Sequence, residues 1–332
     1  MEQTLVKTRL EDIGFYTLSD KRALNSSKLS PLWRCEMLLT DACNFKCPYC
    51  RGMREDCVGF VPFEEASECL RIWIEEGLKN VRFSGGEPTL YKHLPTLVHQ
   101  AKEGEVERIA ISTNGSASRE KYEELLECGV NDFSISLDGC CSAVGEEMSG
   151  GVKGAWEKVV ENIKWLSKVT YVTVGMVFTE DNVDECIKSV LFADSLCVSD
   201  IRVIPSAQYN QVLIKLADLP SKVLAKYPIL NYRIENLKAE RHVRGIKEHD
   251  CHRCWLGLDD MAVAGGRHGL KHFPCIIHLR EGGNPIGDVG PNMREEREDW
   301  VMKHDSYDDP ICRSNCLDVC KDFNNRANQR NG

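Results

Sequence analysis

Three cysteines fall within eight residues of this chain, Cys43-Asn-Phe-Lys-Cys47-Pro-Tyr-Cys50, and no other stretch limits its possible folds and chemistry so sharply. The triplet directly follows a short β-rich run at 36–39, so it reads as a loop at a strand's carboxyl end. In parallel α/β folds that edge is where ligands bind. Three thiolates on one short loop can wrap an iron–sulfur cube, which four cysteines normally saturate. One iron then stays open to a further ligand, by the logic that separates catalytic from structural zinc sites. A zinc loop completed by a fourth ligand elsewhere is the alternative.

The chain carries 17 cysteines in 332 residues. Its first residues, MEQTLVKTRLEDIGFYTL, contain no apolar secretory h-region, so the expected compartment is the reducing cytoplasm. There, many thiols point to metal or catalysis more often than to disulfides. An odd count also prevents complete pairing within one chain. A second group comprises Cys251, Cys254 and Cys275, followed by Cys312, Cys316 and Cys320. The remaining thiols are scattered and read as core filler. Hydrophobic residues at 42% and charged residues at 28% are ordinary for a soluble globular protein. No apolar run approaches the ~18–20 residues that span a bilayer. The net charge of −9 argues against a uniformly basic nucleic-acid surface, though not against a local basic groove.

Strand-like runs at 36–39, 81–84, 108–112, 132–137, 171–178 and 201–204 alternate with helical patterns at 62–78, 119–128, 154–169 and 183–196. Phe63, Ala66, Leu70, Trp73, Ile74 and Leu78 keep helical spacing, and Ser118 and Gly129 bracket the second pattern as cap and stop. Six strand–helix repeats imply right-handed βαβ units and a parallel sheet. Six are too few for the closed eight-unit barrel, so the expected fold is α/β with an open or partial barrel. The expected organisation is an N-terminal extension over 1–32, the barrel over 33–208 and a charged connection over 209–250. A small α/β unit held by metal comes last, over 251–325.

Polar residues recur at the predicted strand ends: Arg82-Phe-Ser-Gly85-Gly86-Glu87-Pro88, Ser112-Thr-Asn114-Gly115 and Ser136-Leu-Asp138-Gly139. Each alone reads as a capped turn. Several in register with a three-cysteine loop are harder to dismiss.

Together these residues resemble the radical S-adenosylmethionine superfamily over about 33–208. The resemblance implies a partial (β/α)6 TIM-like barrel and a [4Fe–4S] cluster on Cys43, Cys47 and Cys50. The cluster's open iron would chelate S-adenosyl-L-methionine, whose cleavage yields a 5′-deoxyadenosyl radical that abstracts hydrogen. It also implies that Glu87, with the backbone of Gly85 and Gly86, holds the ammonium, and that backbone beside Tyr49 meets the adenine. Ser112, Asn114 and Ser136 would serve the ribose and methionine ends, and Arg202 the carboxylate. An electron donor such as flavodoxin or ferredoxin is expected.

The C-terminal cysteines resemble the SPASM and twitch extensions, which carry auxiliary [4Fe–4S] clusters. Cys254 is followed by 14 residues, then Gly269, then five residues before Cys275, one more than the usual spacing. Six thiols cannot ligate two cubes that need eight. The options are one four-cysteine cluster with two spare thiols or two clusters with open irons. The twitch resemblance favours the first, with Cys254, Cys275, Cys312 and Cys316 as expected ligands and Cys320 or Cys251 as substitutes. A structural zinc is the alternative. The layout is also similar to the GTP 3′,8-cyclase family, in which the arginine matching Arg82 meets GTP. That family's strand-five lysine is absent from Val172-Thr173-Val174, and its terminal glycines and arginines from Arg326-Ala-Asn-Gln-Arg330-Asn-Gly332. The leading expectation is thus a radical enzyme acting on a peptide or protein. Action on a nucleoside, nucleotide, sugar or nucleic-acid base is the alternative, and a non-enzymatic iron–sulfur or zinc scaffold stands third.

Overall fold

Six segments alternate inward and outward side chains to build one parallel sheet: β1 (Arg34–Leu38), β2 (Asn80–Ser84), β3 (Arg108–Thr113), β4 (Asp132–Ser136), β5 (Tyr171–Phe178) and β6 (Asp200–Pro205). The computed structural model describes residues 22–52, 55–206, 212–266 and 269–331. The extension expected over 1–32 therefore lies mostly outside the described residues. Side chains with period two point to opposite faces of a strand. Met37, Phe83, Ile111, Phe133, Val174 and Val203 enter the buried apolar core. Their neighbours Glu36, Arg82, Ser112, Ser134, Gly175 and Arg202 line cavities on the opposite face. The barrel wall is thus apolar outside, where helices cover it, and polar inside.

Helices follow the strands as the periodicity predicts. Phe63–Glu75 buries Ala66, Cys69, Leu70 and Trp73. Arg119–Cys128 begins with the Ser118 hydroxyl accepting the Lys121 N–H at 3.3 Å and stops at Gly129. Gly129 has φ +127°, a region that penalises any Cβ. Ala155–Val169 and Cys186–Ser195 complete the expected set. The helix Leu94–Glu103, between β2 and β3, was not foreseen, although Leu94, Leu97, Val98 and Ala101 keep its register.

The C-terminal segment continues the barrel's own sheet. β7 (Asp260–Gly266) pairs in parallel with β1, from Arg34↔Asp260 to Leu38↔Ala264. β8 (Gly269–Phe273) and β9 (Gly287–Asp288) then add antiparallel strands. The order is β6-β5-β4-β3-β2-β1-β7-β8-β9. Met261, Val263 and Leu270 join the main core, so this segment packs on the barrel without a gap. A second small core gathers Trp255, Leu256, Leu258, Val301 and Phe323.

Candidate active site

Cys43, Cys47 and Cys50 line one cavity of about 310 Å³ at the carboxyl ends of the strands. All three are free thiols; Cys43 and Cys50 are exposed and Cys47 is half-buried. Within the loop Cys43 Sγ accepts the Phe45 N–H at 3.4 Å and Cys50 Sγ the Gly52 N–H at 3.3 Å, while its ties to the rest of the fold come mainly from other groups. Lys46 N–H donates to Ser149 O at 2.9 Å, and the Tyr49 hydroxyl donates to Asp138 Oδ2 at 2.5 Å. Asn114 Nδ2 donates to Asn44 Oδ1 at 2.7 Å and lies 3.8 Å from Cys43 Sγ. Burial, then Asp138 and the neighbouring thiols, push the Cys47 thiol up to about 12. Cys43 and Cys47, which resist ionisation in isolation, suit a cationic metal cluster together with the neighbouring Cys50, because the cluster supplies the missing positive charge. The donor set therefore fits the cluster implied by the sequence.

Tyr49, Gly85, Gly86, Ser112, Asn114, Ser136 and Arg202 line the same cavity. The two glycines have a further reason to be there. A Cβ on Gly85 would lie 2.4 Å from Thr40 O, and one on Gly86 would lie 2.3 Å from Ala42 O. Gly86 N–H donates to Thr40 O and Glu87 N–H to Ala42 O, so this turn docks the start of the cysteine loop.

Glu87 is placed differently from the sequence expectation. Its side chain is fully buried and does not line the cavity. Oε1 accepts from Thr89 N–H, Thr89 Oγ1 and Thr113 Oγ1, at 3.1, 2.6 and 2.8 Å, and Oε2 accepts from Asn114 N–H at 2.7 Å. The carboxylate ties the end of β2 to the end of β3, and its acceptors face protein donors instead of a ligand ammonium. Glu87→Ala orphans several buried donors at once, so the fold should lose about 3 kcal/mol. Denaturant unfolding checks this, and an unchanged midpoint would contradict the bracing role. Asp138, noticed in sequence only as part of a strand edge, is a second brace. It accepts from Tyr49 and from Val177 N–H at 2.7 Å, while burial raises its carboxyl to about 6.

A second cavity, of about 230 Å³, shares Glu36, Ser112, Arg202, Ile204 and Arg280 with the first. Seven arginines line it: Arg34, Arg51, Arg82, Arg202, Arg233, Arg244 and Arg280. Among the described residues Glu36 is the only carboxylate in its lining. Arg34 pairs with Asp260 at 3.2 Å, Arg82 with Asp132 and Arg233 with Asp318 at 3.8 Å, and Arg51 with Glu281. Arg82 also donates to Ser112 Oγ at 2.9 Å, and Arg280 donates to Gly52 O and Gly85 O. Nε and Nη1 of buried Arg244 have no hydrogen-bond partner among the described residues. Burial and the neighbouring Arg82 lower Arg202 to about 10; burial, Arg51 and Arg233 do the same to Arg244. Four of the seven are paired with carboxylates and Glu36 adds a fifth negative group, so the local excess is two positive charges in a chain whose net charge is −9. Sequence reading identified Arg82 and Arg202 and missed the other five.

Cys254, Cys275, Cys312, Cys316 and Cys320 gather near one another. Burial and the surrounding thiols push Cys275 up to about 12 and Cys254 and Cys312 higher still. Cys316 lies beside Cys320, and its thiol donates to Leu317 O at 3.8 Å. The Cys251 thiol donates to Arg253 O at 3.3 Å and packs against the same small core as Cys254 and Cys316. The helix Ile276–Arg280 links the regions. Cys275 caps its start, Ile276 and Ile277 line the arginine cavity, and Arg280 at its end reaches the cysteine-loop cavity.

Residues 37–193 match the family model of the radical SAM superfamily, and this part of the chain is a radical SAM domain. The chain is 30% identical over 169 residues to a probable GTP 3′,8-cyclase from Sulfolobus acidocaldarius, covering 50% of this chain and 53% of that protein. It thus spans about half the length of the curated relatives it matches. Among solved structures it is similar to the tagged form of anSMEcpe with bound AdoMet, with TM-score 0.62 and 14% identity over 90% of this chain and 94% of that one. It is also similar to Streptococcus suis SuiB bound to the precursor peptide SuiA, with TM-score 0.59 and 16% identity over 89% and 68%. At such identities the likeness establishes the fold, a partial TIM barrel with a six-stranded parallel sheet. No helix of the described residues is long and apolar enough to cross a membrane.

Proposed function

We propose that this chain is a radical SAM enzyme acting on a small, multiply anionic substrate of the phosphorylated-nucleoside class. The observation that carries this reading is the seven-arginine cavity opening beside the cysteine-loop cavity. Guanidinium groups match phosphate oxygens in planar, bidentate geometry, and a cavity with an excess of positive charge focuses anions. Similarity to GTP 3′,8-cyclases supports the same class. The peptide reading put first from sequence therefore gives way to the nucleotide alternative. Solved neighbours that hold peptides share the fold at low identity and do not address the substrate.

In this reading Cys43, Cys47 and Cys50 hold the cluster, while Tyr49, Gly85, Gly86, Ser112, Asn114, Ser136 and Arg202 surround S-adenosyl-L-methionine. When bound, the pair supplies a one-electron cleavage that generates a hydrogen-abstracting carbon radical. The chain positions the substrate by its charge: Arg82, Arg244 and Arg280 hold anionic oxygens, while Arg34, Arg51 and Arg233 are already paired with Asp260, Glu281 and Asp318. Ser112 touches both cavities and fixes Arg82 between them. Four of the five gathered C-terminal thiols hold an auxiliary [4Fe–4S] cluster, and a flavodoxin- or ferredoxin-like protein supplies the electron.

The test is 5′-deoxyadenosine formation by the anaerobically reconstituted, dithionite-reduced chain with S-adenosyl-L-methionine and either nucleoside triphosphates or short peptides. Nucleotides should stimulate turnover, less so at high salt, because cation–phosphate attraction is screened. Stimulation by peptides alone would remove the anionic-substrate reading.

A further inference from the structure

We propose that His278, His304, Asp309 and Cys312 form a mononuclear metal site, best suited to zinc, beside the auxiliary thiols. The four residues come from three elements. His278 lies in the helix Ile276–Arg280, and His304 ends the helix Met293–Lys303. Asp309 caps the helix Pro310–Asn315, whose first turn carries Cys312. Asp309 divides its carboxylate: Oδ1 accepts the N–H groups of Ile311 and Cys312 at 2.8 and 2.9 Å, while Oδ2 faces both histidines.

His278 and Asp309, and His304 and Cys312, are within hydrogen-bond reach of each other, and the same donor atoms are close enough to share an ion. His278 Nε2 lies 3.3 Å and His304 Nε2 3.8 Å from Asp309 Oδ2, and Cys312 Sγ lies 3.7 Å from His304 Nε2. Ligand atoms of His278, Asp309 and Cys312 all fall within 4.8 Å of one another. The separation of 3.8 Å between His304 Nε2 and Asp309 Oδ2 is too long for a hydrogen bond. Tetrahedral zinc with ligands at about 2.0–2.3 Å holds neighbouring donor atoms roughly 3.3–3.8 Å apart. Two imidazoles, a carboxylate and a thiolate are a borderline set that suits zinc. Trp300 stacks on His304, with ring centroids 4.0 Å apart, and fixes that ring. A cleft of about 500 Å³ lined by His278, His304 and Asp309 gives the ion an entry path.

This assignment also settles the surplus thiol. A cube takes four cysteines, and five are gathered. Cys312 is the one that also faces two histidines and a carboxylate, leaving Cys254, Cys275, Cys316 and Cys320 for the auxiliary cluster. The mononuclear site rests on the placement of its ligands and does not depend on the substrate.

The experiment counts zinc and iron in the full chain, reconstituted anaerobically with iron and sulfide, given zinc and desalted. The wild type should keep about one zinc per chain beside its iron. The His278→Ala/His304→Ala double variant should lose the zinc and keep the iron, whereas Cys254→Ser should lose auxiliary iron and keep the zinc. Cobalt(II) in place of zinc should give tetrahedral ligand-field bands with a thiolate charge-transfer band, and Cys312→Ser should abolish that band without lowering iron. The cobalt spectrum of the wild type decides the question even if the histidine variants fold poorly. Absence of zinc from the wild type, zinc persisting in the double variant, or iron loss in Cys312→Ser would each overturn the assignment.

Discussion

Replacing Cys43, Cys47 and Cys50 together by alanine is expected to abolish 5′-deoxyadenosine formation while leaving the fold intact. The separation of the two effects follows from how the loop is built. Its anchors are the Lys46–Ser149 backbone bond, the Tyr49–Asp138 pair, the Asn44–Asn114 bond and the docking of Gly86 and Glu87 under Thr40 and Ala42. None of these uses a thiol. The melting curve should therefore move little, whereas all three thiols lining this cavity disappear. Iron should not vanish altogether, because a four-thiol auxiliary cube would leave about four irons per chain. Turnover equal to wild type in the triple variant would remove the cysteine loop from the chemistry.

That loop was legible in the sequence because its information is local: three thiols within eight residues after a strand keep their relation whatever the rest of the chain does. The barrel was legible for a similar reason, since each strand–helix unit carries its own periodicity. The features that sequence reading missed depend on register between distant segments. β7 closes onto β1, but Asp260–Gly266 has no local mark of that pairing. The arginine cavity draws on segments between Arg34 and Arg280, which only the closed sheet and the overlying helices bring together. One signal was available. Strands buried on both faces of a parallel sheet usually read as continuous apolar runs. Here Arg34, Glu36, Arg82, Asp132, Asp200 and Arg202 interrupt them with charge. Such interruptions mark a barrel whose interior is polar and built for a charged occupant. Glu87 misled in the opposite way, because a carboxylate at a strand end looks available until Thr89, Thr113 and Asn114 are seen to occupy its oxygens.

The second large effect concerns Arg244, and its value lies in two changes of opposite sign. This side chain is 8% exposed, and its Nε and Nη1 lack hydrogen-bond partners among the described residues. A buried cation held this way costs folding free energy, and an unbranched apolar replacement of similar length removes the cost. Arg244→Met should therefore raise the unfolding free energy by roughly 1–3 kcal/mol. It should also weaken a multiply anionic nucleotide by about 10- to 100-fold, the loss of one charge-assisted contact of ~1.5–3 kcal/mol. Arg233→Met is the contrast. Arg233 donates to Val203 O at 3.1 Å and pairs with Asp318, so its removal should destabilise the fold by leaving that buried carboxylate without its cation, with only Asn236 and the Val319 N–H, among the described residues, donating to it. A residue that only filled space would give neither the gain in stability nor the loss in binding. Denaturant titration and nucleotide binding measured on the same preparations check both signs, and an Arg244→Met protein that binds nucleotide as tightly as wild type would exclude this arginine from the substrate site.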